Sequence, residues 1–193
     1  MWWAQLLNNA VALLAGGVAA AANSYESIST LVVGAGGVGS VTFSSIPATY
    51  SHLQIRYIAR TTVASTGLDD IFVTLNGSSA SYAWHRLLGD GATATASAGT
   101  STTQIGLSGA APRGNSTASA YGAGVLDLLD YTSTNKNKTT RALFGADLNG
   151  SGQVLLGSGL WYATPAAITS ITLTPEASHT FAQYSSFALY GVK

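Results

Sequence analysis

The residues of this 193-residue chain that could do chemistry are a glycine run, eight carboxylates and three histidines. Gly34-Ala35-Gly36-Gly37-Val38-Gly39 follows the apolar Leu31-Val32-Val33 and spells G-x-G-x-x-G. That spacing lets backbone amides approach a pyrophosphate at a helix N-terminus. The next residues, Ser40-Val41-Thr42-Phe43-Ser44-Ser45-Ile46-Pro47, alternate and end in proline, which makes a strand where the motif needs a helix. Arg56 to Arg60 stand where a ribose-holding acid would be required. The run therefore reads as a glycine-rich hairpin turn. Asp147-Leu148-Asn149-Gly150-Ser151-Gly152 has oxygen donors at the first, third and fifth positions of a calcium loop and glycine at the sixth. Ser158 stands where a bidentate Glu should close the shell. A tight Asn-Gly turn between two strands is expected there, and a weakly held cation is left open.

The carboxylates do not pair. Asp69 and Asp70 are adjacent, and Asp127 and Asp130 are an odd number apart, so in a strand each pair points to opposite faces. Glycosidase chemistry wants two carboxyls facing one another across a cleft. Serines are abundant, but there is no G-x-S-x-G elbow, and His85 sits between Trp84 and Arg86 without an evident triad partner. With no cysteine, a disulfide framework, a thiolate metal site and a cysteine nucleophile are excluded together. His52, His85 and His179 are widely spaced and fit no zinc-ligand pattern. The expectation is a non-enzyme with no catalytic residue, no metal ligand and no cofactor.

Aromatic residues carry more information. Trp84-His85 and Trp161-Tyr162 lie in strand-like runs, so one residue of each pair should face inward and one outward. Trp84, Trp161 and Tyr162 are the candidate surface-recognition aromatics, suited to stacking on a host cell-surface glycan or to a subunit interface. The competing reading is that they fill the core.

The elements that must position these residues follow from composition and periodicity. Charged residues make up 8% of the chain and sum to zero, against about 25% in ordinary soluble domains. Eight scattered basic residues cannot build a phosphate-tracking stripe, so nucleic acid is not an expected partner. Hydrophobic content of 47% with so little charge is the reverse of a disorder signature. From Tyr25 onward apolar residues recur with period two, as in Leu53, Ile55 and Tyr57, in Ile71, Val73 and Leu75, and in Phe187 and Leu189. Turn chemistry falls between the runs at Asn76-Gly77, Gly89-Asp90-Gly91, Asn149-Gly150 and Ser158-Gly159. About ten strands are expected, in a jelly-roll-like antiparallel β-sandwich over residues 25–193. Residues 89–118, rich in Gly, Ala, Ser and Thr, are expected to contain long surface loops around a strand at 102–107.

Residues 1–24 differ in kind. The first side chain charged at neutral pH is Glu26. Trp3, Leu7, Val11, Leu14 and Val18 step by 4, 4, 3 and 4, which lines one face of a helix, with Trp2 and Leu6 beside it. No basic n-region marks a signal peptide. Gln5, Asn8, Asn9 and Gly16-Gly17 weaken a membrane span, and no Lys or Arg flanks it. A helix apolar nearly all round must be buried, and a lone arm on a β domain has little of its own chain to bury it. The segment therefore reads as an apolar α-helical anchor and oligomerisation arm, buried against other subunits without membrane insertion, with Trp2, Trp3, Leu6, Leu7, Val11, Leu14 and Val18 as its contact residues.

Four strings then carry a resemblance. They are SIPATYSHLQIR from Ser45, DYTSTNKNKT from Asp130, NGSGQ from Asn149 with Gly159-Leu160-Trp161, and the closing YSSFALYGVK from Tyr184. Over residues 25–193 the chain resembles small β-rich virion structural proteins of tailed bacteriophages, of tail-fibre, tail-tip or head-decoration type. The resemblance implies a virion location, other virion proteins as partners and host attachment through the sandwich, and carries no catalytic motif; three apolar arms wrapped about an axis, each followed by a sandwich, would make a homotrimer. A capsid-decoration (cement) protein is the nearest alternative, and a membrane-anchored, cell-surface glycan-binding protein is a second.

Overall fold

The structure is a computed structural model that describes residues 24–163, 165–176 and 178–193. The arm expected over residues 1–24, with Trp2, Trp3, Leu6, Leu7, Val11, Leu14 and Val18, lies outside the described residues except for Ser24. Among the described residues there is no helix.

Twelve strands alternate in the chain: β1 (Tyr25–Val32), β2 (Val41–Phe43), β3 (His52–Ala59), β4 (Leu68–Leu75), β5 (Tyr82–Gly89), β6 (Ala94–Thr102), β7 (Ile105–Pro112), β8 (Gly122–Leu128), β9 (Lys138–Asp147), β10 (Gly152–Trp161), β11 (Ile171–Pro175) and β12 (Ser186–Val192). They form an eight-stranded sheet, β1-β12-β3-β8-β9-β10-β5-β6, and a four-stranded sheet, β2-β11-β4-β7. Every pairing is antiparallel. Between the sheets lies one core: Leu53, Ile55, Leu126, Phe187 and Leu189 from the large sheet meet Ile71, Val73, Ile105, Ile171 and Leu173 from the small one. Period-two alternation produces this directly, because one side chain in two points at the opposite sheet. Phe187 sits at its centre, 4.7 Å from the Phe181 ring and 5.9 Å from that of Tyr57.

The topology has a simple internal order. Strands β1 to β4 step alternately between the two sheets, as do β7 to β8 and β11 to β12. The hairpins β5–β6 and β9–β10 both join the large sheet beyond β8. Without them two four-stranded sheets remain, β1-β12-β3-β8 and β2-β11-β4-β7.

Two expectations are corrected. Residues 89–118 hold less loop than expected, because besides the end of β5 they contain two strands, β6 and β7, where one was expected at 102–107. Strand β6, ATASAGTST, is exposed along almost its whole length at the sheet edge, so no apolar alternation marks it. The Gly34–Gly39 run is a turn, with the Gly37 amide donating to the Gly34 carbonyl at 3.1 Å, but it does not close a hairpin. It carries the chain from β1 in one sheet to β2 in the other. Glycine is required at position 37: φ is +66° and a Cβ would lie 2.8 Å from the Phe181 carbonyl oxygen.

Candidate functional site

Asp69 opens β4 with its carboxylate turned inward and 0% exposed. A register shift between Asp69 and Ile71 interrupts the pairing with β7, and Asp70 on the other face accepts the Gly109 amide at 2.8 Å. The turn after β11 brings His179 to Asp69, with its Nδ1 2.9 and 3.1 Å from the two carboxylate oxygens. Arg113, one residue past β7, places Nη2 3.6 Å from Asp69 and 3.1 Å from Glu176. The sequence offers no spacing signal for this group, since Asp69 and His179 are 110 positions apart.

Asp69, Glu176 and His179 could each offer a ligand atom, and these atoms lie within 4.8 Å of one another. The Arg113 guanidinium already stands between the two carboxylates, so a divalent ion would have to displace it. An imidazole oriented by a buried carboxylate is also the base half of a nucleophilic triad. Among the described residues His179 makes no side-chain hydrogen bond to a serine or threonine. A shallow concavity of about 290 Å³ beside it is lined by Gly39, Phe72, Gln104 and Thr174. The arrangement works as a clasp that ties β4, the end of β7 and the β11–β12 connection with two carboxylates, one guanidinium and one imidazole.

Two other cations are spent on structure. The buried Arg60 donates from Nη1 to the Thr117 and Ala120 carbonyls and from Nη2 to those of Gly114 and Ser116, at 2.7–3.0 Å. One side chain thereby satisfies four loop carbonyls and fixes the β7–β8 connection. Lys138, 1% exposed, donates to the Ser133 and Lys136 carbonyls, and burial pulls its ammonium below the usual lysine range.

The aromatic candidates separate. Trp84 faces inward: its ring covers Gly99 on β6, lies near Gly106 on β7 and stacks under Arg86 at 4.5 Å, while His85 faces out. Trp161 is 7% exposed and stacks on Tyr82 at 6.2 Å. It fills the core, so its candidacy as a surface-recognition residue is withdrawn. Tyr162 is partly exposed, and its hydroxyl donates to Ser101 at 3.2 Å. The Asp147–Gly152 segment is the expected tight turn, joining β9 to β10. Leu148 N donates to Ser151 O at 2.8 Å, and the Asp147 carboxylate accepts the Asn149 amide at 2.7 Å.

The outer face of the large sheet is the feature that sequence reading missed. Val125, Leu143, Leu156 and Leu87 stand directly across one another on β8, β9, β10 and β5. Val154 lies in the next row, between Gly145 and Gly89, and Ile58 lies in the same row on β3. Leu87, Leu143, Leu156, Val154 and Ile58 are each 51–56% exposed. The signal was present as consecutive apolar residues, Leu87-Leu88, Ala142-Leu143-Phe144 and Val154-Leu155-Leu156, which mark strands apolar on both faces. On one side the patch is bordered by the Asp127–Arg141 ion pair at 2.7 Å. Arg56 borders it too, lying over the rings of Tyr25 and Tyr190 at 4.9 and 5.0 Å.

Comparisons of this chain with the known protein families, with curated proteins and with solved structures return no match.

Proposed function

We propose that this protein is a non-enzymatic assembly component of a bacteriophage virion: a homotrimer anchored through residues 1–22, with a jelly-roll sandwich that projects to the host surface. The observation that carries the assembly reading is the apolar outer face of the large sheet, in a chain whose first 22 residues hold no ionisable side chain. Contiguous apolar surface of this kind marks interaction sites. The placement of the buried ionic groups also favours it: Asp69, Arg60 and Lys138 each hold loops and strand ends together. The jelly-roll reading draws on the alternation of strands between sheets, with β5–β6 and β9–β10 as two added hairpins. The virion location and the tail-fibre role rest on the resemblance over residues 25–193.

The native mass of the full chain at micromolar concentration tests this. A trimer is expected, and a shorter chain lacking residues 1–22 should stay folded and lose it; a full chain that remains monomeric overturns the reading. The flat apolar face also favours a capsid-decoration role, in which broad contact between neighbours is the task. Copy number separates the two: hundreds per particle for a cement, a few to a few dozen for a fibre.

A further inference from the structure

We infer that the apolar leader, residues 1–22, seats on the outer face of the eight-stranded sheet, over Val125, Leu143, Leu156, Leu87 and Val154. The inference deepens the assembly reading and rests on it in taking the leader as the element that needs burial. Three observations on the molecule converge on this occupant.

The first is position. Tyr25 begins β1, the edge strand of the same sheet, and its ring lies under Arg56, whose side chain is on the outer face. The chain before Ser24 therefore leaves from the edge of the same sheet, where Tyr25 pairs with Val192 and Val192 with His52, four residues along β3 from the Arg56–Val125 row. The second is reach. Four strand spacings separate β1 from β9 and six separate it from β5, roughly 19 and 29 Å. A 22-residue helix spans about 33 Å, so the leader can cover the patch from its point of entry. A neighbouring copy can present its leader to the same face.

The third is chemistry. The leader carries no ionisable side chain, so its burial desolvates no side-chain charge. The patch offers no charged group across β8, β9, β10 and β5 in the Leu143 and Val154 rows. Charges stand along the rim, at Arg56, at the Asp127–Arg141 pair and at Asp147. The stripe Trp3, Leu7, Val11, Leu14 and Val18 supplies large side chains. Gly145 and Gly89, on either side of Val154, leave low ground where bulky groups fit.

The absence of native cysteine makes a direct test possible in the full chain. Leu7→Cys or Val11→Cys is combined with Leu156→Cys on the patch or with Thr42→Cys on the other sheet, and treated with a short thiol cross-linker. The patch pair should cross-link about tenfold more than the Thr42 pair, because docking raises the local thiol concentration. Linkage between copies supports both this inference and the trimeric-arm reading. Linkage confined to single chains supports this inference and overturns the arm as an intersubunit element. Equal yields at Leu156→Cys and Thr42→Cys overturn the inference. It is also overturned if Leu156→Cys alone links to its own copy while the leader pairs do not, since that seats a second sheet on the face.

Discussion

The two faces of the eight-stranded sheet are built from the same strands and do different things. Inward, Phe187, Leu189, Leu126 and Phe144 are closed off by the four-stranded sheet. Outward, Leu143 beside Phe144, Leu156 beside the buried Leu155, and Leu87 remain half exposed. Polar groups follow the opposite pattern, because Asp69, Arg60 and Lys138 are buried at the seams with their partners beside them. Burial alone thus does not separate core from surface in this molecule. What separates the faces is apolar cover: the inner one is covered by the four-stranded sheet within the described chain, and the outer one calls for a further surface.

The largest effect that would break this contrast lies inside. Phe187→Ala removes a fully buried ring in contact with Phe181 and should cost about 3–5 kcal/mol in urea unfolding. Loss near zero would mean that the inner face is no better packed than the outer. Asp69→Ala should cost roughly 3 kcal/mol, since Arg113 and His179 keep their places without the buried carboxylate. Thermal unfolding of the variant at neutral pH gives that number directly.

Leu156→Ser sharpens the comparison from the other side. In the full chain it should cost about 1–2 kcal/mol, the scale of a leucine removed from water; a cost under about 0.5 kcal/mol, the ordinary surface range, would leave the face in solvent.

Tyr57→Phe should stabilise by about 1 kcal/mol, because the Tyr57 hydroxyl is buried without a hydrogen-bond partner. Burial also raises the Tyr57 pKa far above the phenol range. Unfolded tyrosine ionises near pH ~10, so stability is insensitive to this group below that pH and falls as the pH climbs past it. The Phe variant should lose that alkaline component, which a pH series of unfolding curves will read.

The smallest effect belongs to the β5–β6 turn. There the amides of Thr93 and Ala92 hold the Asp90 carboxyl below its usual range. That contribution is present above pH ~4 and is lost as pH falls through the lowered value. Asp90→Ala should speed amide exchange at Thr93 while leaving the core strands unchanged.

Much of the sheet was legible in the residues. Wherever one side chain in two is large and apolar, as in β3, β4 and β12, a strand lies where the alternation places it. Strand β6 escaped because Ala, Ser, Thr and Gly carry no contrast between faces, and an edge strand exposed on both sides needs none. The clasp of Asp69, Arg113, Glu176 and His179 escaped for another reason. Its members come from separate segments that only the alternation between sheets brings together, and no local spacing encodes that. The outer patch was written in the sequence as paired and tripled apolar residues. Attention to period two alone hides it, because that rule assigns every second residue to water.

The two added hairpins end side by side. Their tips, Asp90–Gly91 and Gly150–Ser151, line one open hollow of about 680 Å³ at one end of the large sheet. Both tips are exposed and are closed by their own turn hydrogen bonds. Foreign peptides grafted there would be displayed as neighbours on a platform whose packing they do not enter. The protein thus offers two adjacent ports for engineered loops, with the β9–β10 turn braced by Thr117 of the loop that Arg60 holds.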